Sequence, residues 1–314
     1  MSNIITAVTA GIGKITLNRP EALNALNLSM VRDMTRALLD WRDNPEVEAV
    51  AIRGSSKDGP FGAFCAGGDI RFFHKASIAN DPDLEAFFTE EYRLNHLIFN
   101  YPKPYIAFMD GIVMGGGMGI SQGASLRIVT ERTKIAMPET NIGLFPDVGG
   151  GYFLPKCPGY CGEYLGLTGK VLNGSEALAA DLADRAINSD NLQDYWDSLT
   201  NNEMMSVDQR ISRLHSVIDD SRLPEDDNWL NPEIDEEYAT LYSLLGITDA
   251  DIDIIAGTLD IIHRMHNHTE KENHNQCNQK IQYGCRLCGK TYISTCLLYT
   301  SPSPRDATLS RMPS

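Results

Sequence analysis

The chain has 314 residues, of which 42% are hydrophobic, and a formal net charge of −15. That length accommodates one large α/β domain, or one domain with a smaller helical unit, around an ordinary globular core. The acidic balance, without a basic stripe interleaved with aromatics, argues against nucleic acid as the main partner and against anionic membranes, and leaves any phosphate-bearing ligand dependent on a local cluster of cations and N–H groups.

Residues 4–8 (IITAV) and 14–18 (KITLN) alternate like strands, joined by a hairpin turn at Gly11-Ile12-Gly13. Leu28, Val31, Met34, Leu38 and Trp41 recur at three- and four-residue spacing, which predicts an amphipathic helix over 28–41. AVAIRG at 49–54 is the short, continuously apolar run of a buried parallel strand. Residues 72–100 are helix-like with a break near Asp81-Pro82. YIAFMDG (105–111), SLRIVT (125–130) and KIAMPE (134–139) are further strands, and the glycine-rich stretch from Gly115 opens a short helix. Strands alternating with helices over 1–190 predict an α/β layered core with a largely parallel sheet. Residues 191–265 turn to Asp, Glu, Asn and Leu and read as a C-terminal helical region.

A third regime, 266–314, looks foreign to the body and is expected to be non-native or disordered. Residues 269–314 carry +3, which leaves −18 on the first 268, and four of the seven cysteines fall there. The closing TCLLYTSPSPRDATLSRMPS resembles read-through of non-coding or adapter-derived DNA. Cys285 and Cys288 with His263, His266, His268 and His274 invite a zinc reading, but the histidines precede the cysteines and the pairs lack finger spacing. No metal is expected.

Elsewhere, Cys65, Cys157 and Cys161 are scattered without a disulfide framework, as in a reducing compartment. No window approaches the roughly 20 apolar residues of a membrane span. The first twenty residues show no apolar signal core and no Arg-rich leader, so a cytoplasmic location is expected. No G-x-S-x-G elbow, phosphate loop or true G-x-G-x-x-G occurs, which excludes the usual Ser-His-Asp and dinucleotide sites.

Three segments carry chemistry. GAFCAGGDI (62–70) takes the chain from a strand to a helix through consecutive glycines, which can aim N–H groups at a ligand; the plain alternative is a tight turn with Asp69 as helix cap. MDGIVMGGGMGIS (109–121) repeats that design, and two such turns can direct donors at one oxygen. MPETNIGLFPDVGGGYFLP (137–155) sets Glu139 and Asp147 among Met, Pro, Ile, Leu, Phe and Val, as carboxylates held in a partly dry place.

Together these motifs resemble the crotonase (enoyl-CoA hydratase/isomerase) superfamily, and within it the 3-hydroxyisobutyryl-CoA hydrolase branch, over about residues 10–190. The resemblance implies a ββα superhelix core and an acyl thioester carbonyl held by the N–H groups of Gly68 and Gly116. It implies catalysis by Glu139, as general base or nucleophile, with Asp147 binding the substrate's hydroxyl and helping to orient water or protonate the leaving thiolate. Glu91 matches a Glu placed at that hydroxyl, although a solvated helix face beside Glu90 is its plain alternative. Ala25, Ala66, Asp69, Ile70 and Arg71 match the run along the CoA moiety, and Arg19, Lys57, Arg71 and Lys75 are the cations available for its phosphates.

Enoyl-CoA hydratases carry Glu where this chain has Gly119, which disfavours hydration. The expectation is hydrolysis of 3-hydroxyisobutyryl-CoA, as in valine breakdown, with no cofactor beyond the substrate's CoA and with homo-oligomers possible in the family. The alternatives are an enoyl-CoA hydratase/isomerase and a non-catalytic, ribosome-associated family member. The family also offers the mitochondrial matrix as compartment.

Overall fold

A computed structural model describes residues 2–158, 161–201, 204–216, 281–284 and 291–294. The opening hairpin pairs β1 (Ile4–Thr9) with β2 (Ile12–Leu17), antiparallel in the register Thr9 to Ile12. Its turn is Ala10-Gly11, both left-handed (φ 48° and 79°), so Ile12 and Gly13 belong to the strand and the expected turn moves back. Two consecutive positive-φ residues match the twist of the flanking strands.

The chain continues through α1 (Leu28–Arg42), β3 (Ala49–Gly54), α2 (Ile70–Ala79), α3 (Asp83–Phe99), β4 (Tyr105–Met109), β5 (Ile112–Met114) and α4 (Gly116–Gly119). There follow β6 (Leu126–Val129), β7 (Lys134–Ala136), α5 (Gly150–Phe153), α6 (Cys161–Thr168), β8 (Leu172–Asn173), α7 (Gly174–Ala179), β9 (Arg185–Ala186), α8 (Leu192–Thr200) and α9 (Val207–His215). Asn27 caps α1 by accepting from the Met30 amide, and Asn80 ends α2 in the left-handed region, which explains the break sensed near Asp81-Pro82.

Six strands form a sheet in the order β1-β2-β3-β4-β6-β9, parallel from β2 onward. A second sheet, β5-β7-β8, stands apart from it. Its β7 falls within the strand expected over 134–139, whereas β5 and β8, of three and two residues, are not among the strands expected from the residue pattern.

Side chains alternate across the large sheet with period two. Ala49, Ala51, Ile106, Phe108, Leu126 and Ile128 face α8 and α9, where Trp196 and Leu199 close over them. Ile15, Leu17, Val50, Ile52, Ala107 and Met109 face the opposite layer, where Met30, Val31, Met34 and Leu38 of α1 pack with Phe87, Leu94 and Ile98 of α3. Burial on both faces is why β3 and β4 read as unbroken apolar runs.

The chain divides into two compact units, Met1–Thr240 and Leu241–Ser314. In the second, β10 (Ile281–Gly284) pairs antiparallel with β11 (Thr291–Ser294). The helices expected over 217–265, the zinc candidates and the terminal SPSPRDATLSRMPS lie outside the described residues. No helix of the described residues is long and apolar enough to cross a membrane.

Candidate functional site

Two loops leaving neighbouring strands are tied to one another by backbone. Cys65 donates to Ile112 O (2.9 Å) and accepts from the Met114 amide (3.0 Å), a one-residue parallel bridge that pins the first loop to β5. Leu26 donates to Gly67 O (2.7 Å) and accepts from the Asp69 amide (2.9 Å). The groups flanking Gly68 are thereby used, and in such a bridge the central residue's own N–H points away from its partner. On the second loop Gly115 donates to Ala136 O (3.1 Å), and Gly116 begins α4, whose first amides have no carbonyl within the helix. Among the described residues neither the Gly68 nor the Gly116 N–H has an acceptor.

The two glycines face each other. A Cβ built on Gly116 would stand 3.4 Å from Gly68 N, and one on Gly67 would stand 3.6 Å from Gly116 N. Gly67 (φ 97°) and Gly115 (φ 48°) are left-handed, a conformation that glycine adopts without a Cβ penalty, and these bends bring the amides together.

Three carboxyl groups surround this pair. Glu91, on α3, is 2% exposed, and its Oε1 lies 2.5 Å from the Cβ position of Gly116. Glu139, 7% exposed at the start of a 3-10 turn after β7, has Oε1 2.6 Å from the Cβ position of Gly115. Glu91 Oε1 and Glu139 Oε2 are both buried without a hydrogen-bond partner among the described residues. Asp147 is half-buried and accepts a hydrogen bond from Tyr92 Oη (2.7 Å).

Burial pushes the Glu91 carboxyl up to about 8, with the charges of Asp147 and Glu139 acting in the same direction. It likewise lifts Glu139 to about 7, again helped by Asp147. Asp147 is raised by burial too, against the opposing donation from Tyr92. Three carboxyls raised by burial, two of them packed against the glycines of the second loop, have the environment from which acid–base chemistry can be run. Glu90, by contrast, turns outward and forms a two-pronged ion pair with Arg32. The solvated-face alternative therefore applies to Glu90 and not to Glu91.

Asp147 begins a tight turn. Val148 (φ 42°) and Gly149 (φ 94°) are left-handed and the Gly150 amide returns to Asp147 O. A β-branched residue in that region is costly, and the position is held by packing. Val148 is 3% exposed, and its Cβ lies 2.7 Å from where a Cβ on Gly119 would sit. A side chain at 119 has no room.

The positions matched to CoA fall together at the mouth of the first loop. Ala25 and Ala66 are half-buried and Ile70 and Arg71 exposed. Asp69 caps α2 through the Phe72 amide (3.1 Å) and pairs with Arg19 (2.6 Å). Arg19 also donates to Ala25 O (3.0 Å), so its charge is committed to the loop. Lys57, Arg71 and Lys75 are exposed, with no ion pair among the described residues. The Cys65 thiol is wholly buried, which pushes it up to about 12 and leaves it inert.

Sequence reasoning passed over the aromatic wall of this site and two of its polar groups. Phe73 packs against Phe87 (centroids 4.8 Å apart) and Phe88 (5.0 Å), and its Cζ lies 2.5 Å from the Cβ position of Gly68. Tyr92 and Asn95 lie on α3 beside Glu91. The signal was the helix stripe itself: Phe87, Glu91, Leu94 and Ile98 recur at three and four residues.

A model of the enoyl-CoA hydratase/isomerase family matches residues 12–293. A protein named 3-hydroxyisobutyryl-CoA hydrolase, mitochondrial, from Xenopus tropicalis is 52% identical over 180 residues, 57% of this chain and 46% of that protein. Small ribosomal subunit protein mS47 of Neurospora crassa is 41% identical over 222 residues, 68% of this chain and 43% of that protein. The matched regions thus span less than half the length of either relative. Among solved structures, a carnitinyl-CoA dehydratase from Mycobacterium thermoresistibile aligns with a TM-score of 0.64 at 37% identity, covering 73% of this chain and 65% of the other.

Proposed function

The chain belongs to the enoyl-CoA hydratase/isomerase family, and from that premise we propose that it is a thioester hydrolase acting on 3-hydroxyisobutyryl-CoA. The observation that carries the reading is the source of the second acid. Position 119 is a glycine whose side-chain space is filled by Val148 and Asn95. The acid accompanying Glu139 is Asp147, carried by its own turn, whose Val148 packs against Gly119. Hydration of a double bond needs a carboxylate pair of the kind that Glu at 119 would complete. Hydrolysis needs one base or nucleophile, an oxyanion site and a route for the thiolate's proton.

In this mechanism the thioester oxygen lies between the Gly68 and Gly116 amides, which stabilise the negative charge as the carbonyl becomes tetrahedral. Glu139 either takes a proton from the attacking water or adds to the carbonyl carbon to give a mixed anhydride that water opens. The C–S bond breaks with its electron pair on sulfur, and Asp147 supplies the proton that completes the CoA thiol. Glu91 and Asp147 receive the acyl hydroxyl. Valine breakdown is the setting in which this substrate arises, and mitochondria, named for the Xenopus relative, are the compartment we propose in place of the cytoplasm.

Thiol release by the full chain across 3-hydroxyisobutyryl-CoA, 3-hydroxypropionyl-CoA and crotonyl-CoA tests the reading. Release from the first two supports it, and hydration of crotonyl-CoA without thiol release overturns it. A second reading, ribosome association without turnover, draws on the identity with mS47. Co-sedimentation with ribosomes and no thiol release would favour that one.

A further inference from the structure

Asn95 sits one helical turn beyond Glu91 on α3, on the same face. Its carboxamide is wedged between α4 and the turn that follows Asp147. A Cβ on Gly119 would stand 3.0 Å from Asn95 Nδ2 and 3.1 Å from Oδ1, with Val148 Cβ at 2.7 Å. Both polar atoms are sealed from solvent, and neither has a hydrogen-bond partner among the described residues. A buried amide left unpaired in this way is costly, and its persistence in a site is explained when a ligand completes it.

The chemistry of the missing partner can be narrowed. The residue between Glu91 and Asn95 that turns toward the acids, Tyr92, already serves Asp147. The neighbouring carboxyls are lifted toward their neutral forms, so a further anion is unwelcome here. A carboxamide offers one acceptor and two donors, which suits a neutral hydroxyl that must both give and receive. Val148, whose Cβ lies against the same spot as the carboxamide, adds an apolar surface that suits a short branched or linear carbon chain bearing that hydroxyl.

We propose that Asn95 is a specificity-determining residue, binding the hydroxyl of a hydroxyacyl thioester through its carboxamide and rejecting acyl groups that lack one. The proposal rests on the hydrolase reading above for its substrate class. An apolar acyl chain in this place would leave the amide unpaired, and sites built to bond a hydroxyl discriminate strongly against analogues without it.

The test compares 3-hydroxyisobutyryl-CoA with isobutyryl-CoA. The full chain and its Asn95→Leu variant are measured for kcat/KM of thiol release and, by calorimetry, for binding of the corresponding non-hydrolysable CoA thioethers. The unaltered chain should prefer the hydroxylated member of each pair by at least about 30-fold. In Asn95→Leu that ratio should fall by about tenfold or more, with the loss concentrated in the hydroxylated member. If Asn95→Leu does not fold, Asn95→Ala, which only removes atoms, is read in the same way. An unaltered chain without the preference overturns the proposal, as does a variant that weakens both members equally. A chain that binds the hydroxylated thioether preferentially, loses that preference on substitution and yet releases no thiol upholds Asn95 and removes the hydrolase reading instead.

Discussion

Glu91 Oε1 lies 2.5 Å from the place where a methyl group on Gly116 would be, closer than any Cβ contact tolerates. The carboxyl oxygen therefore packs against the α-carbon of Gly116, and the glycine is required by the carboxyl as much as by its own backbone. Gly116→Ala should force Glu91 away from the loop and tilt the amide. We expect thiol release to fall by about 100-fold or more, the scale of losing one oxyanion donor. Stability should fall by about 1–3 kcal/mol from overpacking. Steady-state kinetics and denaturant unfolding read both effects.

The pH dependence follows from Glu139. As base or nucleophile it must be anionic, and burial has lifted its carboxyl to about 7. Loss of the Glu139 anion should cost about tenfold in rate per pH unit below 7, and loss of the Asp147 proton should lower the rate again at higher pH. A limb centred near the usual carboxylate value instead would mean that a different, solvated acid controls the reaction. A pH series of kcat/KM distinguishes them.

Tyr92 holds Asp147 through a 2.7 Å hydrogen bond that favours the charged carboxylate. Tyr92→Phe removes that donor, so Asp147 should titrate still higher. The variant should lose about 0.5–1.5 kcal/mol of stability. Its thiol release should drop by about 5–20-fold, as a rise of about 1–2 kcal/mol in the barrier would give.

Most of this fold was legible because its strands and helices are long enough to show their period. β3 was read with its observed ends, Ala49–Gly54, because both faces are buried, and α1 announced itself by a five-residue apolar stripe. The loops carrying Gly68 and Gly116 were legible as glycine-rich strand exits. That the two turns meet was expected from their repeated design and the family resemblance, but the Leu26 and Cys65 bridges that bring them together join segments distant in sequence and were not legible. The hairpin turn was misplaced because Ala10 adopts a left-handed conformation that nothing in its side chain advertises. Val148 escaped notice for the same reason, and Asn95 because a polar residue on a helix reads as solvated until its neighbours are known.

Glu91 also makes stability depend on pH in an unusual direction. Its carboxyl is lifted in the folded state to about 8, above the ordinary value near 4.5. Between those values the folded chain holds a proton that the unfolded chain has released, so stability falls as pH rises through this window. A slope of up to about 1.4 kcal/mol per pH unit is the most that one such proton can give. Glu91→Gln should flatten that slope and be more stable than the unaltered chain at pH 8. Thermal unfolding at pH 5, 6, 7 and 8 measures this; a variant with the same slope would show that Glu91 is hydrated in the folded protein.

The central claim is that the Gly68 and Gly116 amides grip one thioester oxygen while Glu139 stands across from it. It is tested most directly by infrared difference spectroscopy of 3-hydroxyisobutyryl-CoA, labelled with carbon-13 at the thioester carbonyl, bound to the full-length Glu139→Gln variant. Two donors on the oxygen weaken the C=O bond, so the labelled band should move to lower wavenumber than in water, and it should return toward the water value when Gly116→Ala is added. A bound carbonyl at or above the water position, unchanged by that second substitution, would contradict the account.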